Sequence, residues 1–451
     1  MSCTSASTSL VLPDRTGSPR ELSADLYRVC AVGVIVIGHW LAAAVVYRNG
    51  GFVRENPLIE LPWTHWLTWI FQVVPVFFIV AGYAGAASWT RRAEASYGDW
   101  LGKRLRTVLG PTSAYVLVAL VAVGAAALAH VDASTVAMSG WAVAMHLWFI
   151  PVYVVVLAMT PVAVAAHRRW GLLASVALSI VVVAVDAVSV SGVLPAIGWL
   201  NNLFCWLALF QIGVAWFFGA LQGSRAVALA VAGGAVAAVA VGFGPYPVSL
   251  IGVPGQVVQN SAPPSVVMLA LGLWQAGTLI AIAPAVTRWL RRSALRRPLA
   301  AANKRVMVVY LWHMIAVVIV AVVVYPAGLF PVPTLGTGPW WLSRLLWVAV
   351  LAVVTAGVLL LVGSARSVFA GSLVSVPTRL PGRYAAPMVL VGAGLVSAAL
   401  WRFSLDGFAP SGRFALGTSV IYLGGLALVA LQPLRCNAEK DGRRGSRALS
   451  P

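Results

Sequence analysis

Asp25-Leu-Tyr-Arg28-Val-Cys-Ala-Val-Gly-Val-Ile-Val-Ile-Gly38-His39-Trp40 is an apolar run whose only acidic or basic side chains of the Asp, Glu, Lys, Arg and His types are Asp25, Arg28 and His39. Read as a helix, it places Arg28 and His39 eleven residues apart, three full turns plus about 20°. Both side chains fall on one face, roughly 16 Å apart along the axis. Asp25 shares that stripe, and Ser23 is positioned to cap the helix start. A membrane crossing would put Arg28 at the mouth and His39 near the midplane, where an ionisable group is expensive and usually functional. The stretch therefore suggests an anion grip at an entrance and a titratable base in the depth of one cavity.

Composition supports the crossing. Of 451 residues, 60% are hydrophobic and only 10% charged. A soluble protein could not keep so much apolar surface dry, so an all-α, polytopic membrane helix bundle is expected. The four cysteines, Cys3, Cys30, Cys205 and Cys436, have no metal-ligand or redox spacing, so neither a metal nor a disulfide framework is expected.

Apolar runs of spanning length occur at about 26–47, 67–89, 111–130, 142–166, 171–190 and 199–221, then at about 225–244, 265–287, 305–325, 341–363, 385–401 and 414–432. With twelve spans and both termini cytoplasmic, 26 of the 31 Lys and Arg residues fall on the inner side. Only Arg48, Arg54, Arg344, Arg402 and Arg413 are outside. This positive-inside bias accounts for most of the formal charge of +19 and sets nucleic acid aside as a partner. The expected organisation is a disordered cytoplasmic tail at 1–24, a membrane core at 25–363, an additional transmembrane hairpin at 364–433 and a basic disordered tail at 434–451.

Further candidates lie along the chain. Lys103-Arg104-Leu-Arg106 enters the third span at Pro111, and basic residues there suit a polyanion such as the phosphates of coenzyme A, or lipid headgroups. His313, in Tyr310-Leu-Trp-His313, lies about 13 Å beyond Lys304 by helix rise, a depth similar to that of His39. On sequence grounds helix packing is its favoured role. His146 and Trp148, in His146-Leu-Trp148-Phe149, sit at the outer end of the fourth span and read as lining or packing. Asp186 has no partner visible in sequence. Asn201, Asn202 and Gln211 are candidates to line a polar cavity.

With these residues in view, the chain resembles the acyltransferase-3 family of integral-membrane acyltransferases, whose first helix carries an Arg, ten residues, then a His. Arg28 and His39 match that pattern. Val74-Pro-Val-Phe-Phe-Ile-Val-Ala81-Gly82-Tyr83 is similar to the family's Phe-Phe-x-x-Ser-Gly-Phe segment, with Ala81 in place of Ser. Lys103 to Pro111, His146 to Phe149 and Tyr310 to His313 complete five motifs in order.

The resemblance implies transfer of an acyl group, often acetyl, from acyl-CoA to a hydroxyl of a sugar, glycolipid or secondary metabolite. It further implies His39 as the essential base and Arg28, Arg104 and Arg106 as donor contacts, with Lys103 beside them. Asp25 joins Arg28 and His39 as a catalytic candidate, and His313, Tyr310, His146, Trp148 and Tyr83 are candidate lining. The expected setting is the plasma membrane, with acyl-CoA, a hydroxyl-bearing acceptor and the lipid bilayer as partners. The rival from another class is a transporter of a lipid-linked sugar or small metabolite, since intramembrane His and Asp also serve as proton relays. The aligned Arg28 and His39 favour the enzyme, because a relay needs no anion grip.

Overall fold

The computed structural model describes residues 21–48, 51–92, 95–365, 369 and 371–434. Nearly all of both tails, with Arg15, Arg20 and the basic residues from Arg435 onward, lies outside the described residues. The helices of ten residues or more are α1 (Leu22–Ala42), α2 (Val74–Thr90), α3 (Tyr97–Leu128), α4 (Ala133–Ala142), α5 (Phe149–Ala158), α6 (Thr160–Trp170) and α7 (Leu173–Val190). They continue with α8 (Asn201–Phe217), α9 (Ser224–Phe243), α10 (Val266–Arg292), α11 (Arg296–Val324), α12 (Gly338–Ser364), α13 (Ala385–Asp406) and α14 (Leu416–Ala430). Besides several short helical turns there are two short strand pairs: β1 (Val45–Arg48) antiparallel to β2 (Gly51–Arg54), and β3 (Val376–Pro381) parallel to β4 (Leu431–Leu434). The protein is a polytopic, all-α membrane protein.

Every expected apolar run has a helical counterpart, but not every one is a single span. Among the described residues ten helices are long and apolar enough to cross a bilayer. The fourth run is broken into Met145–Ala158 and α6, and Met145–Ala158 reaches spanning length only when joined to the preceding α4, which it meets at a 40° bend. The twelfth, α14, has 15 residues, about 22 Å of rise, which is short for a bilayer core of about 30 Å.

The first run also departs from expectation. Its helix ends at Ala42 rather than near 47, and Val45–Arg48 forms a strand instead. The β-branched pair Val45-Val46 followed by Tyr47 suits a strand, and its pairing with Gly51–Arg54 takes up the backbone groups that a continued helix would have used. At the other end Ser23 is not the cap. Glu21 occupies that position, and the Ser23 hydroxyl donates to Glu21 Oε1 at 2.8 Å.

α1 lies at the seam of two apolar cores. Val32, Ile35, Val36 and Trp40 join a cluster built on α3, α11, α12, α13 and α14. Ala24, Tyr27 and Ala31 join a second, built on α2, α8 and α10. The second core depends on close backbone approach. A Cβ on Gly213 would lie 1.9 Å from Ile79 O, and one on Gly82 2.0 Å from Phe210 O, so α2 and α8 cross through facing glycines as membrane helices often do. Ala81 is buried beside that crossing, which is why a small residue suits the position. α9 packs on α10 in the same way through Gly233 and Gly277, and otherwise presents an apolar surface for lipid to cover.

Asp186 is explained by the fold. Its Oδ2 accepts from the Tyr246 hydroxyl at 2.7 Å and from Val266 N at 2.8 Å, pinning the 245–264 loop and the start of α10. Asn201 and Gln211 do not line a polar cavity. Each donates to a buried carbonyl, Val182 O at 3.2 Å and Ala163 O at 3.1 Å, and the cavity beside Gln211 is walled by apolar side chains.

Candidate active site

The site is assembled around the C-terminal end of α1. His39 is in its last turn, and its Nδ1 lies 2.8 Å from Nε2 of His313 on α11. The two rings are nearly coplanar, 17° apart, with centroids separated by 5.1 Å. His313 Nδ1 lies 2.6 Å from Tyr310 O. A carbonyl only accepts, so His313 carries its proton on Nδ1 and, when neutral, offers a lone pair at Nε2. His39 must then donate from Nδ1 to that lone pair. The free lone pair of His39 is therefore on Nε2, and hydrogen bonding alone fixes this tautomer chain.

The surrounding residues hold this pair in place. Tyr310 is used twice: its carbonyl orients His313, and its hydroxyl donates to His146 O at 2.5 Å. The His146 ring packs edge-on to His313 at 5.2 Å, and both are fully buried, whereas His39 is half-buried. Trp40 Nε1 donates to His313 O at 3.1 Å, a second tie between α1 and α11.

The early end of α1 would leave carbonyls orphaned in an apolar setting. α12 supplies them. Trp347 Nε1 donates to Trp40 O at 3.0 Å and Arg344 Nη1 to Ala43 O at 3.5 Å. Arg344, expected as an outer-loop cation, is instead buried between the Trp340 and Trp347 rings, 5.3 and 5.5 Å from their centroids.

The cationic candidates gather at the start of α3. This helix is capped at Ser96, whose Oγ accepts from Asp99 N, and it runs unbroken through Pro111. The basic run is thus not a turn before the span but the opening of a 32-residue helix, about 48 Å long. Among the described residues, Lys103, Arg104 and Arg106 line an open cleft of about 560 Å³ together with Arg91 and Arg92, five cations beside the carboxylate of Asp99. Ser88 organises its floor: its Oγ accepts from Trp100 Nε1 at 2.9 Å and from an Arg104 guanidinium N–H. Arg92 lies 3.5 Å above the Trp89 ring.

Arg28 and His39 are not in the wall of this cleft, so it is not the single shared cavity expected from the sequence. Arg28 lies on α1, about three turns before His39. A file of rings leads to the histidines. Tyr153 stacks on Phe149 at 5.9 Å; Phe149 meets Tyr310 at 5.7 Å; and Tyr310 meets His313 at 6.0 Å. Tyr153 and Phe149 are only half-buried.

Three candidates lie apart from the pair. Asp25 is fourteen residues before His39, about 21 Å along the helix, and accepts from Asn303 Nδ2 at 2.6 Å. Tyr83 packs on Trp216 at 4.6 Å, and Trp148 on Trp206 at 6.0 Å.

The profile of the acyltransferase-3 family, an acyltransferase domain, matches residues 21–363, about three quarters of the chain. The chain belongs to the acyltransferase-3 family. It is an integral-membrane acyltransferase. No curated protein and no solved structure matches the chain. Within this family member the matched segment ends just before α12 does, and contains every residue of the histidine cluster and of the basic run on α3.

Proposed function

We propose that this acyltransferase moves an acyl group, acetyl in the first instance, from acyl-CoA to a hydroxyl of a carbohydrate, glycolipid or secondary metabolite at the plasma membrane. The observation that carries this reading is the His39–His313 pair, which leaves the lone pair of a half-buried imidazole free in a bundle that also holds a polycationic cleft.

In this reading the phosphates of the donor rest among Arg104, Arg106 and Lys103, with Arg28 at the rim. Guanidinium forks suit phosphate oxygens and are permanently charged. The thin pantetheine arm follows the file of Tyr153, Phe149 and Tyr310 and brings the thioester to His39. His39 Nε2 takes the proton of the acceptor hydroxyl as its oxygen attacks the thioester carbonyl. The C–S bond breaks, and the departing sulfur takes that proton back from Nε2. The products are an ester and free coenzyme A, with His39 restored. While His39 is protonated, its Nδ1–H donates a charge-assisted bond to His313 Nε2, much as a carboxylate supports the histidine of a hydrolase triad. General-base assistance of this kind contributes about 10²–10⁴ in rate.

The test is to incubate purified protein in liposomes with acetyl-CoA and follow thiol release with and without candidate acceptors. Acceptor-dependent release of one thiol per ester formed is the expected result. Absence of thiol release with every donor chain length and acceptor class would overturn the reading in favour of transport.

A further inference from the structure

The segment after residue 363 lies outside the family match, yet it is built into the basic cleft. α13 packs its Val396, Leu400 and Phe403 into the same core as Leu101, Leu105 and Leu109 of α3. The backbones meet at glycines: a Cβ on Gly98 would lie 2.8 Å from Ala386 N, and one on Gly110 2.1 Å from Gly371 O. Hydrogen bonds join the two segments directly. Leu373 N donates to Arg106 O at 2.9 Å, and Arg106 Nη1 donates to Val429 O at 3.4 Å. At the end of α14 the chain enters β4, where Gln432 pairs with Pro377 of β3 and lines the cleft together with the α3 cations.

An apolar hairpin added to a membrane bundle needs only a lipid-compatible surface. Nothing in that requirement explains why the chain leaving it returns to cover a charged cleft. It also does not explain why a guanidinium of the cleft is held by a carbonyl of the added helix. Holding Arg106 by one nitrogen sets the direction of its remaining N–H groups, and a guanidinium with a fixed fork binds an oxyanion with less ordering cost. Gln432 adds a neutral amide, which can donate to a phosphate oxygen without adding charge.

We infer that the C-terminal hairpin forms a wall of the polyanion cleft, and that Gln432 is a donor-binding residue whose side-chain amide contacts a phosphate of the bound nucleotide. The inference rests on the reading of the cleft as the acyl-CoA site. It makes the donor site of this chain a joint product of the family core and the added hairpin.

The experiment measures binding of coenzyme A to the full-length protein in detergent for wild type, Gln432→Ala, Gln432→Glu and Arg104→Gln, with the donor KM and kcat read alongside. Gln432 is exposed on the last described strand, so both substitutions leave the apolar core untouched. The expected result is affinity about 3-fold weaker for Gln432→Ala and at least 10-fold weaker for Gln432→Glu, where a carboxylate faces the phosphates, with KM raised and kcat unchanged. Unchanged affinity in both Gln432 variants beside a weakened Arg104→Gln would overturn the inference and leave the donor cleft standing. No coenzyme A binding by wild type would overturn the cleft reading and the inference with it.

Discussion

His39 Nδ1 and His313 Nε2 stand 2.8 Å apart, joining the last turn of α1 to α11 across 274 residues of sequence. Because His313 spends its own Nδ1 proton on Tyr310 O, it can only accept from His39. Removing that acceptor leaves His39 free to turn or to change tautomer. His313→Ala is therefore expected to lower kcat at least about tenfold with little change in donor KM. His313→Gln, whose Oε1 can still accept, should recover part of the loss. Equal activity in all three proteins would show that the contact has no catalytic consequence.

Among the described residues, the cleft on α3 gathers five cations beside the carboxylate of Asp99. Arg104→Gln should raise the donor KM about tenfold or more while kcat holds, since the residue binds the ground state and the transition state alike. Exposed charge is screened by salt, with a Debye length near 10 Å at 0.1 M and about 3 Å at 1 M. Raising ionic strength should therefore raise the wild-type donor KM, and raise it less in the Arg104 variant. A donor KM indifferent to both salt and Arg104 would remove the cleft from the donor pathway.

Trp347 ties off the end of α1 through a bond to Trp40 O. Trp347→Phe keeps the ring and deletes the donor, leaving a buried carbonyl unpaired at a cost of about 1–3 kcal/mol. Thermal unfolding in detergent should show the loss as a lowered midpoint, and an unchanged midpoint would mean that the carbonyl finds another partner.

Facing glycines set the α2–α8 crossing. Gly213→Ala places a methyl about where Ile79 O lies, so the helices must separate, and the variant should be severely destabilised or fail to accumulate. Gly242 on α9 has nothing within 4 Å of its would-be Cβ, and alanine there should be neutral or stabilise by about 0.5–1 kcal/mol. Yields and melting curves of the two variants separate packing from helix propensity.

The helical bundle and the placement of Arg28 and His39 on one helix are legible in the sequence, for identifiable reasons. The eleven-residue interval from Arg28 to His39 declares one helix face, and apolar length with positive-inside bias declares the bundle. The partnership of His39 and His313 was not legible, because nothing local links side chains on α1 and α11. Sequence suggested only a similar depth and favoured a packing role for His313. The early end of α1 was missed because Val45-Val-Tyr47 extends an apolar run whether it is helix or strand. Asn49-Gly50 between two short apolar stretches was the available hairpin signal. The sequence shows Arg344 only as an outer-loop cation and carries no sign of its surroundings. Those surroundings, two tryptophans and the end of another helix, exist only once α12 is packed against α1.

The most direct test of the account is acyl transfer by His39→Ala in liposomes, measured with labelled acetyl-CoA beside coenzyme A binding and thermal stability of the same preparation. The account predicts loss of transfer by about 10²–10⁴ or to background, with binding and unfolding midpoint close to wild type. Wild-type transfer rates in a folded His39→Ala protein would contradict it.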